Sequence, residues 1–259
     1  MKLSICGKGG SGKSTVAALL TNIARKKGYQ PVVVDADESN SGLFRMFGFD
    51  NPPIPLMDMV GGKNSLKAKM GDENIFSESR ITTDDIPEQY ILQKDGIKFV
   101  AIGKILQSLE GCACPMGVLS REFLKKLTLQ ENELVIVDME AGVEHFGRGV
   151  DTSIDGVLIV IEPPLESINV GQKIFELATD MKIKNVWAII NKAPSTDVCI
   201  RVKKEIRARN IDVAGVIYFD SGIYNSSIEG AIPERGAAVI EAERIMDTIL
   251  SELHLPIPV

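Results

Sequence analysis

The run Gly7-Lys8-Gly9-Gly10-Ser11-Gly12-Lys13-Ser14 places four glycines, two lysines and two serines in eight residues, with the spacing G-x-x-x-x-G-K-S. Glycines at these positions let the backbone wrap a phosphate without side-chain interference. The loop N–H groups and the start of a following helix then supply positive potential. In this arrangement Lys13 reaches the β and γ phosphates, and the Ser14 hydroxyl completes a magnesium shell. Gly9, Gly10, Ser11, Gly12, Lys13, Ser14 and Thr15 are therefore the candidate nucleotide-binding residues.

Carboxylates follow at spacings that suit the same chemistry. Asp35 and Asp37 are two residues apart at the end of an apolar run, so in extended chain both point to one side. Both carboxylates can then face the phosphate loop; the plain alternative is an acidic turn and helix cap. Leu134-Val135-Ile136-Val137 ends in Asp138, a second position from which a carboxylate holds magnesium, and Met139 to Glu144 reads as a nucleotide-sensing switch. On the base side, Asn191 follows the apolar run 186–190 and offers an amide to a nucleobase edge; Tyr218 and Asp220 lie at the end of a later apolar run. Ordinary strand-end structure is the other reading of those three, and nothing local separates ATP from GTP.

Cys112 and Cys114, in Gly111-Cys112-Ala113-Cys114-Pro115, are the second chemical feature. A closed tetrahedral thiolate site takes four sulfurs, and one chain brings only two to this bend. A symmetric dimer would bring two copies of the pair together on its axis, as a shared tetrahedral or square-planar S4 site. Zinc, nickel, cuprous copper and an iron–sulfur cluster all suit such ligands, and a redox-active or structural cysteine pair is the alternative. Cys6 and Cys199 lie in a strand and a helix and read as small buried hydrophobes. His145 reads as a hydrogen-bonding residue beside the switch and His254 as a surface residue.

The elements that must hold these groups can be read from apolar patterning. Strands are predicted at 3–6, 31–34, 97–102, 134–137, 156–161, 186–190 and 213–217, most of them nearly continuous in apolar residues, as in strands covered on both faces. Helices fit 13–27, 119–129, 165–179, 196–209 and 237–253. The opening strand, helix, strand order predicts a parallel sheet with helices on both faces and ligands at the carboxyl ends of its strands. Residues 51–95 are rich in Pro, Gly, Asp and Lys; they read as an irregular insertion with short helices near 56–60 and 65–70, inside a single domain spanning 1–259.

Of the 259 residues 44% are hydrophobic and 25% charged, a balance that argues against disorder, and the net charge of −6 with scattered Lys and Arg argues against nucleic-acid binding. No apolar run is long enough to span a membrane, and a strand and glycine loop occupy the place of a signal peptide. The expectation is a cytoplasmic protein with no membrane partner.

Lys8, a second cation in a loop that already has Lys13, resembles the signature lysine of the deviant P-loop ATPases. That group contains nitrogenase iron protein, the Min and Par ATPases and the arsenite-pump ATPase. The resemblance implies a nitrogenase iron protein-like P-loop fold and a Lys8 that reaches the partner's nucleotide across a dimer. It assigns catalytic roles to Lys8, Lys13 and Asp37, with Asp35 supporting the magnesium shell, Asp37 orienting or deprotonating the attacking water, and Tyr218 and Asp220 in an adenine-side loop. Within the group, Lys8, Lys13, Asp35, Asp37, the Glu110–Met116 segment, Asp138 and Asn191 together resemble the carbon monoxide dehydrogenase maturation ATPases of the CooC type along nearly the whole chain. That likeness implies ATP hydrolysis with Mg2+, a nucleotide-promoted homodimer, and Ni2+, or Zn2+ in its place, at Cys112 and Cys114. The implied client is carbon monoxide dehydrogenase or acetyl-CoA synthase. Residues 131–137 lack the cysteine a nitrogenase-like iron–sulfur reductase places there, and Glu140 stands where relatives have proline nearby. A partitioning or positioning switch is the remaining alternative, although the last helix carries Glu241, Glu243 and Glu252 and offers no convincing membrane anchor.

Overall fold

The computed structural model describes residues 1–39, 42–68, 75–103, 114–143, 153–255 and 258, without the side chains of Lys67 and Cys114. Eight strands, β1 (Lys2–Gly7), β2 (Gln30–Ala36), β3 (Ile91–Lys94), β4 (Ile97–Ala101), β5 (Glu133–Met139), β6 (Gly156–Ile161), β7 (Asn185–Ala193) and β8 (Asp212–Tyr218), form one sheet. Its order is β3-β4-β2-β5-β1-β6-β7-β8, and every pairing is parallel except the β3–β4 hairpin. The fold is thus an α/β P-loop NTPase fold with a mostly parallel sheet flanked by helices.

Strand alternation explains why both faces are apolar. In β5 and β6, Val135, Val137, Val157, Ile159 and Ile161 face one side, where α4 (Cys114–Lys126), α5 (Leu165–Asp180) and α6 (Thr196–Arg207) pack. Leu134, Ile136, Leu158 and Val160 face the other, covered by α1 (Lys13–Lys26) and α8 (Ala237–Glu252). Helix α1 buries Val16, Leu19, Leu20 and Ile23 between sheet and α8. At about 1.5–3 kcal/mol per large apolar side chain, this burial fixes α1 firmly against the strand that precedes it.

Residues 51–95 hold α2 (Leu56–Met59), α3 (Gly62–Ala68), two short 3-10 turns and β3. The second short helix starts three residues before its predicted position, at Gly62. Strand β3 was not foreseen; its hairpin turns on Asp95 and Gly96, both at positive φ (50° and 77°). Helix α4 starts at Cys114 instead of 119, with Pro115 in the first turn where a missing N–H costs nothing. It stops at Lys126, whose carbonyl accepts from the Ile81 N–H at 3.0 Å, and the Thr128 N–H donates to the Ile81 carbonyl at 2.8 Å instead of continuing the helix. Helix α6 ends at Arg207, two residues early, and the chain turns through Asn210 at φ 57°. Helix α7 (Ser221–Ile228) was also unforeseen. Among the described residues no helix is long and apolar enough to cross a membrane.

Candidate nucleotide site

The glycine loop joins β1 to α1 at the carboxyl edge of the sheet. Gly12 precedes α1 with φ 92°, and no side chain caps this helix, so its first N–H groups face the loop. Lys13 begins the helix and is only 6% exposed. A Cβ at Gly7 would meet the Val160 carbonyl oxygen at 2.5 Å, and one at Gly12 would strike the Asn191 amide nitrogen. Gly12→Ala is accordingly expected to weaken ADP binding at least about tenfold, from the left-handed backbone alone plus displacement of Asn191. An ADP titration of the variant checks this, and unaltered affinity would contradict it.

Register brings the carboxylates together. Asp35 and Asp138 are paired positions on β2 and β5, on the face that α1 covers. Both are buried, at 2% and 0% exposure. Ser14 donates its hydroxyl proton to Asp138 Oδ2 at 2.5 Å, while Asp138 Oδ1 is buried with no hydrogen-bond partner. Burial pushes the Asp138 carboxyl up to about 7; the Ser14 bond and Lys13 oppose this, and Asp35 and Asp37 add to it. An orphaned buried carboxylate oxygen beside a serine hydroxyl fits a hard cation, so Ser14 and Asp138, backed by Asp35, are the residues suited to Mg2+. Among the described residues no group of three His, Cys, Asp or Glu side chains forms a metal centre by itself.

Asp37 lies one residue past β2 and is 6% exposed. Its N–H donates to Asp35 Oδ1 at 3.2 Å, and its Oδ1 accepts from the Ser39 N–H and hydroxyl at 2.9 and 2.6 Å. These bonds shape the turn that the plain reading of the pair foresaw while leaving the carboxylate at the rim of the cleft. Lys8 forms an ion pair with Glu166 in the first turn of α5, at 3.0 Å. In the proposed switch, the Gly142 N–H donates to the Gly7 carbonyl at 3.2 Å, tying the segment after β5 to the phosphate loop. Glu144 and His145 lie outside the described residues.

A cleft of about 430 Å³ runs from Gly10, Gly12 and Lys13 past Asn191 to Tyr218, Phe219 and Asp220, a volume that suits a nucleotide. Ser14, Thr15 and Asp37 line its phosphate end. Asn191 donates its amide to the Ser11 carbonyl at 2.8 Å, and so fastens the loop. Both Asp220 oxygens are engaged: Oδ1 accepts from the Gly222 N–H at 2.7 Å and Oδ2 from the Ala238 N–H at 3.3 Å, capping α7 and the start of α8. The backbone N–H of Tyr218 donates to Glu241. Sequence reasoning missed Ile223 and Tyr224, which line the cleft on α7 beyond Phe219. The Asp220-Ser221-Gly222 cap was the available signal.

Of the cysteines, Cys6 and Cys199 are buried free thiols, and burial pushes the Cys6 thiol up to about 12. Cys112 lies outside the described residues, and Cys114 is described only as the first residue of α4. His254 is exposed, as expected.

Fold and cleft define a P-loop nucleotide-binding protein. Residues 4–233 match the CobQ/CobB/MinD/ParA nucleotide binding domain, and the chain belongs to that family, within the ATP-binding P-loop NTPases. It is 46% identical over 197 residues to an uncharacterised ATP-binding protein of Methanocaldococcus jannaschii, covering 74% of this chain and 78% of that one. It is 34% identical to the carbon monoxide dehydrogenase accessory protein CooC of Rhodospirillum rubrum, over 86% of this chain and 85% of that protein. Among solved structures, septum site-determining protein MinD of Pyrococcus horikoshii, complexed with Mg-ADP, superposes with a TM-score of 0.71 at 16% identity, over 95% and 94% of the two chains. That last likeness concerns the fold alone.

Proposed function

We propose that this chain is an ATP-hydrolysing nickel chaperone, acting as a homodimer that matures carbon monoxide dehydrogenase or the related acetyl-CoA synthase. Nickel is its cargo. The observation that carries the reading is the place of the cysteine pair in the chain. Cys112 falls in the stretch of sequence between β4 and α4, Cys114 is the first residue of α4, and β4 runs beside Asp35, whose carbonyl accepts from the Ile102 N–H at 2.9 Å. A segment rooted next to the phosphate-side carboxylates can respond to nucleotide state. Likeness to CooC along 86% of the chain supports the choice of client.

In the cycle, Ser14 and Asp138 would hold Mg2+, which would neutralise phosphate charge, and Lys13 holds the β and γ phosphates. Lys8 leaves Glu166 for the nucleotide of the second subunit, and Asp37 orients the attacking water. Closure aligns Cys112 and Cys114 with their copies around one Ni2+, and hydrolysis or ADP release loosens the pair for transfer. This requires nucleotide to bind the closed state more tightly than the open one.

Metal content and oligomeric mass, measured together for nucleotide-free, ADP and non-hydrolysable ATP states, test the proposal. The expected result is about one tightly held Ni2+ or Zn2+ per dimer, lost in the C112S/C114S double variant while nucleotide binding persists. One ion per isolated monomer would overturn the shared site. An iron-dependent absorption band would favour a reductase, and a nucleotide-driven dimer that never takes up metal would favour a positioning switch.

A further inference from the structure

Lys192 has no part in the scheme above, yet its side chain lies across the phosphate loop. Its Nζ donates to the Gly10 carbonyl at 2.6 Å and pairs with Glu162 Oε1 at 2.9 Å. The backbone is unusual there: Lys192 has φ 55°, a left-handed conformation rare for a residue with a side chain, and the β7–β8 register breaks between Ile190 and Ala193. Its Cε would lie 3.6 Å from a Cβ added at Gly12, so the alkyl chain runs along the loop before the ammonium reaches Gly10.

We propose that Lys192 is a positioning residue of the nucleotide site, holding the phosphate loop in its binding shape, with Glu162 ordering the ammonium. Residues 191 and 192 grip consecutive carbonyls, Asn191 that of Ser11 and Lys192 that of Gly10. Within the loop the Ser11 N–H donates to the Lys8 carbonyl at 3.2 Å, so the Gly10–Ser11 peptide is held at both ends. In a planar trans peptide the C=O and N–H point in opposite directions. Holding the Ser11 carbonyl toward Asn191 therefore turns the Gly12 N–H away from it. A loop of four glycines among eight residues has little rotational preference of its own, and these two side chains supply the order that glycine lacks. An anion site that is already ordered does not have to reorganise when phosphate arrives.

The Lys192 and Glu162 side chains are 44% and 22% exposed, so the pair contributes little to global stability and its loss should be felt locally. The inference rests on nucleotide binding at this loop and is independent of nickel delivery. The test uses the full chain with Lys192→Met, which keeps the apolar stem and removes the charge, and with Glu162→Gln. Mg-ADP titration and amide hydrogen exchange of the nucleotide-free protein are the readouts.

Lys192→Met should weaken Mg-ADP binding about tenfold, as for loss of a charged hydrogen bond, and Glu162→Gln should weaken it about threefold. Exchange of the amides of residues 9–13 should accelerate in both variants while β1 and β6 exchange as before. Unchanged affinity with unchanged loop exchange would overturn the assignment. Weaker binding with unchanged loop exchange would overturn it too, because the ammonium would then act on the nucleotide directly. If the unaltered protein bound no Mg-ADP, the nucleotide reading itself would fall, and loop exchange in the two variants would still decide whether Lys192 orders the loop.

Discussion

Asp37→Asn is expected to lower the rate of ATP hydrolysis by about a hundredfold or more while Mg-ATP binding stays within about twofold, the pattern for removing a group that acts on the attacking water. The structure makes this a clean substitution. The turn after β2 depends on Asp37 Oδ1 as an acceptor for the Ser39 N–H and hydroxyl and on the Asp37 N–H as a donor to Asp35. Asparagine retains an acceptor oxygen and the backbone N–H, so the turn survives and only the carboxylate charge is lost. Binding should persist because the change does not touch Lys13 or the N–H groups at the start of α1, the groups proposed to hold the phosphates. A single-turnover measurement beside a binding titration separates the two effects. Hydrolysis at the unaltered rate would leave Asp37 as a turn residue only, the plain reading of the Asp35/Asp37 pair.

What was legible in the sequence follows from how locally each feature is encoded. The parallel strands announce themselves because a strand buried on both faces must be apolar throughout, as Val157 to Ile161 are, and the phosphate loop because only glycine tolerates the backbone at Gly10 and Gly12, with φ of 79° and 92°. The side-by-side placement of Asp35 and Asp138 is a matter of strand order, which apolar patterning does not encode; it required β5 to insert between β1 and β2. Strand β3 escaped notice because Gln93 and Lys94 are exposed on the sheet edge and give no apolar alternation, although Asp95-Gly96 is a recognisable hairpin turn. Helix α7 was hidden for a related reason: Tyr224 and Ile228 are exposed, at 62% and 73%, so the helix has no buried stripe to detect. Lys192 was visible as a residue but its role was not, since its partners Gly10 and Glu162 are 182 and 30 positions away in the chain.

The second large effect concerns Asp138 and pH. Burial raises its carboxyl from 3.8 to about 7 in the nucleotide-free chain. Below pH 4 the group is protonated in both the folded and the unfolded chain and carries no penalty. Between about 4 and 7 the unfolded chain releases the proton and the folded chain keeps it, so this group's contribution to stability falls as pH rises. Above 7 the loss is complete, and at about 1.4 kcal/mol per unit of displacement it amounts to about 4 kcal/mol. Asp138→Asn keeps an acceptor for the Ser14 hydroxyl and has no charge to bury. The nucleotide-free variant should therefore gain on the unaltered protein from pH 4 to about 7 and hold that gain above it, and urea denaturation at pH 5 and pH 8 would measure the wider gap at the higher pH. Comparing the two proteins at each pH cancels the titration of the groups that do not interact with Asp138. The same substitution should remove the advantage Mg2+ gives to nucleotide binding, since the cation needs the ionised carboxylate that Oδ1 leaves without a partner. The affinity of the unaltered protein for Mg-ADP should then rise with pH through 7, opposite in sign to this carboxyl's contribution to stability. If the stability difference between the two proteins were the same at pH 5 and pH 8, Asp138 would not be the group whose ionisation Mg-nucleotide binding turns from a cost into an attraction.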